Sequence, residues 1–356
     1  MQKKVLMVID SLGAGGAEKV ALNLASAFQH EEYHVDIITV DNIVTYEVDD
    51  NISIYSLHFK KGLLDYYRYR KRLHRMIGDL QHNSAYDMII VHLQKSTRLM
   101  KGYKHPKLVN VVHSTLSQAS LSNRMGLRKF LKIKRLRNIY DGLNIVAVSN
   151  GIAEDIRQIG IVPKSLQVIY NPVDIVELAQ KAEETPGCRC DNEYIVYVGR
   201  LAASKRHDRA LEAYRRSGIK ESFLIIGEGE MRDSITAKIK ALGLQDRVKL
   251  CGFQSNPYAI VKKAKLLVLS SDYEGLPTVL IEALSLGVPV VSTDCPSGPR
   301  EILGEYMPES LVPLDDIDAF TSAIKEHVMN PPSIPEELVN RFASHVIVKR
   351  YLSLLP

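Results

Sequence analysis

The stretch Leu266–Thr293 constrains this chain more than any other. It opens on an apolar run, Leu266-Leu-Val-Leu269, that reads as a buried strand. A Gly275-Leu-Pro277 turn follows, then a helix with Pro277 at or near its first position, where a missing N–H costs nothing. Gly287 stops that helix, and Val288–Ser292 reads as the next parallel strand. The N–H groups from Gly275, Leu276 and Thr278 to about Val279 should therefore face the crevice at the strand's carboxyl end. A helix N-terminus in that position attracts anions, most often phosphate.

Glu274 stands just before the helix and Glu282 more than a turn inside it. Carboxylates accept hydrogen bonds from hydroxyls, so the pair suits two sugars flanking a diphosphate. The transferred sugar falls near Glu274 and the ribose near Glu282. Met in isolation, such a pair reads as one helix-start charge and one solvated charge. The strand–turn–helix–strand context reverses that preference.

Glu274-Gly-Leu-Pro277, Glu282 and the strand begun by Gly287-Val-Pro-Val-Val resemble the donor-site signature of the retaining glycosyltransferases of family four. The likeness covers nearly the whole chain. It implies an α/β fold of two Rossmann-like domains facing across a cleft, the GT-B architecture.

A length of 356 residues suits two domains, each with its own core. The expected division is an acceptor-side domain over 1–172, a donor domain over 173–336 and a terminal helix over 337–356 that packs back at the junction. No segment approaches the roughly 20 apolar residues of a membrane span, and the Met-Gln-Lys-Lys start is no signal peptide. The four cysteines (188, 190, 251 and 295) have no framework spacing, which argues against a disulfide scaffold and for a reducing compartment. Cys188-x-Cys190 is half a metal site that no His/Cys cluster completes, so no metal is expected.

The net charge of +5 is unevenly placed. Residues 1–165 hold 24 Lys and Arg against 15 Asp and Glu, a balance of +9, while the remainder holds 22 against 26, a balance of −4. A basic first half suits an anionic partner: a phospholipid surface, a lipid pyrophosphate or nucleic acid.

Lys4–Ile9 reads as a strand that runs into Gly13-Ala-Gly15-Gly16-Ala-Glu18, and a helix follows with Val20, Leu22, Leu24 and Ala25 inward. Strand, glycine-rich loop and helix open a doubly wound domain. The loop is not Gly-x-Gly-x-x-Gly, so a dinucleotide site is poorly supported. Its Gly15-Gly16-Ala-Glu form instead resembles the family's first loop, which lies across the cleft from the donor diphosphate. Further strands are expected at His34–Val40, Ile52–Leu57, Asp87–His92, Leu108–Val112 and Leu143–Val148. His92 and His113 both fall at strand carboxyl ends, where ligands collect. His113 matches the family's position for a cleft histidine approaching the donor sugar, and His92 is the weaker candidate.

Two helical stretches carry much of the positive charge. Arg68, Arg72 and Arg75 share a face of Leu63–Leu80 with Lys71 beside them, while Leu64, Tyr67, Leu73, Ile77 and Leu80 take other faces. Arg124, Arg128, Lys132 and Arg135 form a second stripe over 124–137. Each stripe is either a solvated face or a basic surface for anionic lipid or an acceptor's phosphates. Asn171-Pro-Val-Asp174 resembles the family's crossover between domains, and the polar segment to about Asp191 reads as a linker.

In the second half Tyr194–Val198 is a strand, and Gly199-Arg200-x4-Lys205 follows it. Arg200 offers a planar fork and Lys205 a point charge. The resemblance makes them the diphosphate clamp. Arg206-His207-Asp208 is more cationic than this turn commonly is in the family. Strands at Ser222–Ile226 and Arg247–Gly252 lead to Phe253, whose loop is the family's seat for the nucleobase; Phe253 packs either on the base or on the core. Ser297-Gly298-Pro-Arg300 shapes a loop near the donor.

The resulting expectation is transfer of a hexose or N-acetylhexosamine from a nucleotide-sugar, a UDP-sugar, to an acceptor hydroxyl with retention. The acceptor is a glycan or lipid-linked, the protein works in the cytoplasm at the inner face of an anionic membrane, and neither cofactor nor metal is required. Glu274, His113, Arg200 and Lys205 carry catalysis. Gly15, Gly16, Phe253, Gly275, Leu276, Pro277, Thr278 and Glu282 join Arg200, Lys205 and Glu274 in binding the donor. A nucleotide-sugar epimerase or hydrolase of the same fold is the alternative. An oxidoreductase lacks its dinucleotide loop, and a nucleic-acid binder lacks interleaved aromatics beyond Tyr66, Tyr67 and Tyr69.

Overall fold

The computed structural model describes residues 3–13, 15–60, 65–82, 84–121 and 126–354, with the backbone alone for 119–121. Ala14, Leu63, Leu64 and Arg124 therefore lie outside the described residues. The chain divides into two compact units, residues 1–172 with 344–356, and residues 173–343.

The first unit opens with β1 (Lys4–Ile9), α1 (Gly16–His30), β2 (His34–Thr39), β3 (Ser53–Ser56) and α2 (Asp65–Leu80). It continues with β4 (Met88–His92), α3 (Gln94–Met100), β5 (Leu108–Val112), α4 (Leu116–Leu121) and α5 (Gly126–Tyr140). β6 (Asn144–Ala147), α6 (Asn150–Gln158) and β7 (Ser165–Val168) complete its continuous part. The strands form one parallel sheet in the order β3-β2-β1-β4-β5-β6-β7. Near-continuous apolar runs suit strands covered on both faces. Leu6, Val8, Ile38, Ile89 and Val91 pack with Leu73 and Ile77 of α2 and Leu99 of α3. Tyr67, by contrast, stands 60 % exposed.

The second unit begins with a correction. The segment expected as a polar linker contains α7 (Ile175–Ala182), whose first turn is capped where Asp174 Oδ1 accepts from the Glu177 N–H at 2.9 Å. Leu178 and Ala182 give the helix a buried side. Then come β8 (Tyr194–Val198), α8 (His207–Ser217), β9 (Ser222–Ile226), α9 (Arg232–Ala241), β10 (Val248–Gly252) and α10 (Tyr258–Val261). β11 (Leu266–Leu269), α11 (Thr278–Ser285), β12 (Val290–Thr293), α12 (Pro299–Leu303), β13 (Leu311–Val312) and α13 (Ile317–Met329) follow. This sheet is also parallel, in the order β10-β9-β8-β11-β12-β13.

The single terminal helix expected over 337–356 is two helices among the described residues. α14 (Glu336–Asn340) ends in the second unit and α15 (Ser344–Leu352) belongs to the first. Between them the Val173 N–H donates to the Phe342 carbonyl at 2.9 Å, and a strand-like backbone cannot continue a helix there. α15 buries Ile347, Val348 and Tyr351, the last with its ring 6.4 Å from that of Phe28 on α1.

The cysteines bring a second correction. Cys188 and Cys251, 63 residues apart, are joined in a disulfide that fastens the segment after α7 to β10, while Cys190 and Cys295 are free thiols. Two half-cystines that far apart in sequence meet only through the tertiary fold, which spacing does not reveal. The inference of a reducing compartment loses its footing with them.

Both sheets reverse strand order at one place, between β1 and β4 and between β8 and β11. In open α/β sheets such a switch point leaves a crevice at the strand carboxyl ends, where ligands bind.

Candidate active site

In the second unit the loops after β8 and β11 meet at that switch point. Gly199-Arg200-Leu201 leaves β8 and is held from behind by the Gly227–Gly229 turn after β9. The Gly199 and Leu201 N–H groups each donate at 3.0 Å, to the carbonyls of Ile226 and Glu228. A Cβ on Gly227 would overlap the Gly199 carbonyl, and one on Gly229 would overlap the Leu201 backbone. Only glycine lets the two loops lie this close. The chain then makes one 3₁₀ turn, Ala203–Lys205, and breaks at Arg206 in the left-handed region with φ 47°.

Lys205 Nζ lies 2.6 Å from Glu274 Oε1, an ion pair that is only 24 % and 10 % exposed. Ser271 Oγ donates to the same oxygen at 2.6 Å. Burial alone would push the Lys205 ammonium down, but the Glu274 carboxylate outweighs it and holds the group above its ordinary value. The fold locks the partners from both sides. Tyr197 and Ser270 hydroxyls donate to the Lys205 carbonyl at 2.9 Å, and the Asp272 N–H donates to Ser204 O at 2.8 Å. Glu274 and Lys205 were expected to serve sugar and phosphate separately; here they are each other's partner.

Arg200 is held differently. Its guanidinium donates to Glu230 at 3.0 Å in a pair that is 72 % and 55 % exposed. Exposed pairs of this kind contribute little and open readily. The extra cations after Lys205 do not add positive charge to the site. Arg206 is paired with Asp208 and Asp272, and Arg209 with Asp272. His207 is buried, its ring 4.4 Å from that of Tyr197, and burial pushes it down to about 4.

α11 starts at Thr278 with Pro277 as its cap residue, next to the first helical position as expected. Leu276 and Pro277 are buried, Gly275, Thr278 and Glu282 half-buried. A second loop supports this helix start, where Ser297 Oγ donates to the Gly275 carbonyl at 2.8 Å. Gly298, with φ 92°, sits so near that a Cβ would come within 2.8 Å of the Gly275 oxygen. Phe253, at 44 % exposure, is not a core residue. That excludes one of its two readings.

In the first unit Gly15 caps α1 and Gly16 begins it. The Glu18 carboxylate folds back over Gly15, where a Cβ would overlap it. Burial, with the Asp10 carboxylate adding, raises the Glu18 pKa although backbone hydrogen bonding opposes the shift. The helix start expected to approach phosphate thus already carries a carboxylate of its own. His113 follows β5 and meets His92, the last residue of β4, with His92 Nδ1 2.9 Å from His113 Nε2.

Sequence reasoning missed Ser271, Glu230 and the pairing of His92 with His113. Ser271 stands three residues before Glu274 and Glu230 within the Gly227–Glu230 turn, yet their partners lie across the fold.

Residues 14–177 match the family model described as Glycosyltransferase Family 4, and residues 180–344 match Glycosyl transferases group 1. A Campylobacter jejuni enzyme, N-acetylgalactosamine-N,N'-diacetylbacillosaminyl-diphospho-undecaprenol 4-alpha-N-acetylgalactosaminyltransferase, is 30 % identical over 336 residues, 91 % of this chain and 89 % of its own. The chain belongs to glycosyltransferase family 4. Two solved structures agree on the GT-B fold of the family. The lipopolysaccharide outer core galactosyltransferase WaaB in its apo form superposes with a TM-score of 0.69 at 22 % identity, covering 99 % of this chain and 98 % of that one. Anabaena HepE in complex with UDP-glucose reaches 0.75 at 17 % identity, covering 99 % of both chains.

Proposed function

We propose that this glycosyltransferase moves a hexose or N-acetylhexosamine from a UDP-sugar to a hydroxyl of a lipid-linked or surface-glycan acceptor, with retention. The observation that carries the reading is the half-buried Lys205–Glu274 pair between the loops of β8 and β11. Breaking the anomeric C–O bond leaves negative charge on the diphosphate, and meeting that charge is the main catalytic task. An ammonium has three donors, so Lys205 can keep Glu274 and still hold a phosphate oxygen. Arg200 can leave its exposed partner for the same anion, and the N–H groups at the start of α11 add to the field. In a front-face displacement the acceptor oxygen bonds to the anomeric carbon as the bond to phosphate breaks. The acceptor proton passes to the departing diphosphate oxygen. Glu274 holds Lys205 and is available to a hydroxyl of the transferred sugar, and Glu282 to the ribose.

The Campylobacter relative's name describes N-acetylgalactosaminyl transfer onto a saccharide carried by diphospho-undecaprenol, which supports a lipid-linked acceptor here. An anionic membrane at the inner, cytoplasmic face is the proposed place of work. No helix among the described residues is long and apolar enough to cross a membrane. Arg68, Lys71, Arg72 and Arg75 on α2 are exposed, as are Arg128 and Arg135 on α5, while Lys132 is half-buried. α5 also exposes Leu127, Phe130 and Leu131 at 72, 62 and 54 %. Cations interleaved with exposed apolar side chains suit an anionic bilayer surface.

The test is nucleoside diphosphate release from a panel of UDP- and GDP-sugars, with and without a lipid-pyrophosphate saccharide, in EDTA. Acceptor-dependent UDP release with a product that keeps the donor's anomeric configuration is expected. Release without acceptor, or an inverted product, overturns the reading.

A further inference from the structure

Ser270 and Ser271 follow β11 directly, and both are completely buried. Ser270 serves the backbone: its hydroxyl lies 2.9 and 2.8 Å from the Lys205 and Arg206 carbonyls. Ser271 serves a side chain. Its carbonyl accepts from the Thr293 hydroxyl at 2.8 Å, which pins it against the end of β12, and its own hydroxyl donates to Glu274 Oε1 at 2.6 Å. Lys205 Nζ stands at the same distance from the same oxygen.

The two donors therefore converge on one atom. A carboxylate oxygen accepts about two hydrogen bonds, so Oε1 is fully used. Oε2 receives no hydrogen bond from any described residue. Nor is it among the polar atoms sealed from water, so it is the oxygen through which Glu274 meets the solvent. Lys205 alone does not impose this arrangement. The last torsion of a glutamate side chain is broad and roughly two-fold, so either oxygen can turn outward. An ammonium is a point charge on a flexible stem and follows whichever oxygen is nearer. A buried serine on a pinned backbone cannot follow. Ser271 brings no charge to a diphosphate; what it fixes is the orientation of the carboxylate.

We infer that Ser271 is a positioning residue: by holding Oε1 it leaves Oε2, in one fixed direction, to accept from a hydroxyl of the transferred sugar, and so sets which donors the enzyme selects. The inference rests on the transferase reading of the Lys205–Glu274 site. It divides the carboxylate into one oxygen that belongs to the fold and one that reads the sugar. A donor without the matching hydroxyl, or with it on the other face of the ring, leaves Oε2 with nothing to accept.

The experiment is calorimetry on the full chain without acceptor, using the UDP-sugar it transfers, the monodeoxy analogues of that donor, and free UDP. In wild type the loss of one particular hydroxyl should weaken binding roughly 10–100-fold, the scale of one hydrogen bond to a charged group. In Ser271→Ala that penalty should shrink toward its value in Glu274→Ala, because the carboxylate is free to turn. Free UDP should bind Ser271→Ala as it binds wild type, since the proposed diphosphate clamp is intact. Ser271→Thr keeps a hydroxyl and should restore the penalty. A serine that matters only for packing would lower the melting temperature and leave the penalty at its wild-type size, and that result overturns the inference. So does a Ser271→Ala protein that loses as much affinity for free UDP as for the donor. If Ser271→Ala does not fold, Ser271→Cys decides: its thiol is a weaker donor, and an undiminished penalty there overturns the inference equally. Failure of the transferase reading shows separately, as a wild-type chain that turns over no UDP-sugar, and takes this inference with it.

Discussion

The Lys205 ammonium commits one of its donors to Glu274, and the proposed diphosphate clamp relies on the donors that remain. Lys205→Ala and Arg200→Ala should each lower turnover by roughly 10²–10³, the scale for losing a preorganised charge-stabilising donor. The two should differ in stability. Lys205→Ala leaves a partly buried carboxylate without its cation and should lower the melting temperature, whereas Arg200→Ala breaks only an exposed pair and should leave it unchanged. Near-normal turnover in either folded variant removes that residue from the clamp. The carboxylates divide differently: Glu282→Ala should weaken donor and free nucleoside diphosphate together, while Glu274→Ala should cost turnover and spare nucleoside diphosphate affinity. Calorimetry that finds equal losses would reverse that division. Acid sensitivity also belongs to single residues. An unfolded histidine takes up a proton below about pH 6.5, but His113 and His207 in the folded protein stay neutral until about 4. Their contribution is therefore full above pH 6.5 and is lost as pH falls toward 4, at up to about 1.4 kcal/mol per pH unit for each ring. His207→Phe, which keeps a ring beside Tyr197, should flatten that slope by one proton's worth in denaturant titrations at pH 7, 6 and 5. A slope identical to wild type would show that His207 already carries its proton.

Elements reach the site in pairs of loops, and the glycines set how closely the loops approach. Gly229→Ala puts a methyl group into the Leu201 backbone, which has no flexible end to yield. The β8 loop must then shift, so donor affinity and melting temperature should fall together; Gly243→Ala, whose added Cβ meets nothing but whose φ is 66°, controls for backbone strain alone. Unchanged donor affinity in Gly229→Ala would mean that Arg200 does not depend on this support. At this level the sequence was readable where the signal was local. Lys4–Ile9, Tyr194–Val198 and Ser222–Ile226 are strands as their apolar runs indicate, and Gly287 ends α11 with φ 77°. Helix α7 was hidden because Pro172 and the polar residues around it outweighed Asp174-x-x-Glu177, a capping signal that precedes only two turns. β13, two residues long, carries no periodicity to detect. The candidate residues Lys205 and Glu274 could be found from their motifs, but not their bond, which joins positions 69 residues apart. The same holds for Cys188 with Cys251 and for His92 with His113.

Across the whole molecule charge is segregated, +9 over residues 1–165 against −4 over the rest. Each Lys or Arg near an anionic bilayer is worth about 1 kcal/mol, so a few on one surface hold a protein reversibly. In liposome co-sedimentation the protein should bind anionic but not neutral vesicles at low salt, and lose them as the screening length falls from about 10 Å at 0.1 M to about 3 Å at 1 M. Reversing Arg68, Arg72 and Arg75 to Glu should release it while transfer to a short soluble acceptor survives. Indifference to anionic vesicles at low ionic strength would leave the cationic faces as solvated surface. The path of the chain has a consequence of another kind. The first unit is not contiguous: α15, the last helix, buries Ile347, Val348 and Tyr351 within it. Side chains of this size stabilise by about 1.5–3 kcal/mol each, a large part of a domain's typical 5–15 kcal/mol. On the ribosome, residues 1–172 emerge first but wait for the entire second half before their packing is complete, on the order of 10–40 s at about 5–20 residues per second. The domain that is begun first is finished last, and during that interval the face of α1 around Phe28 is open to chaperones, proteases and other nascent chains.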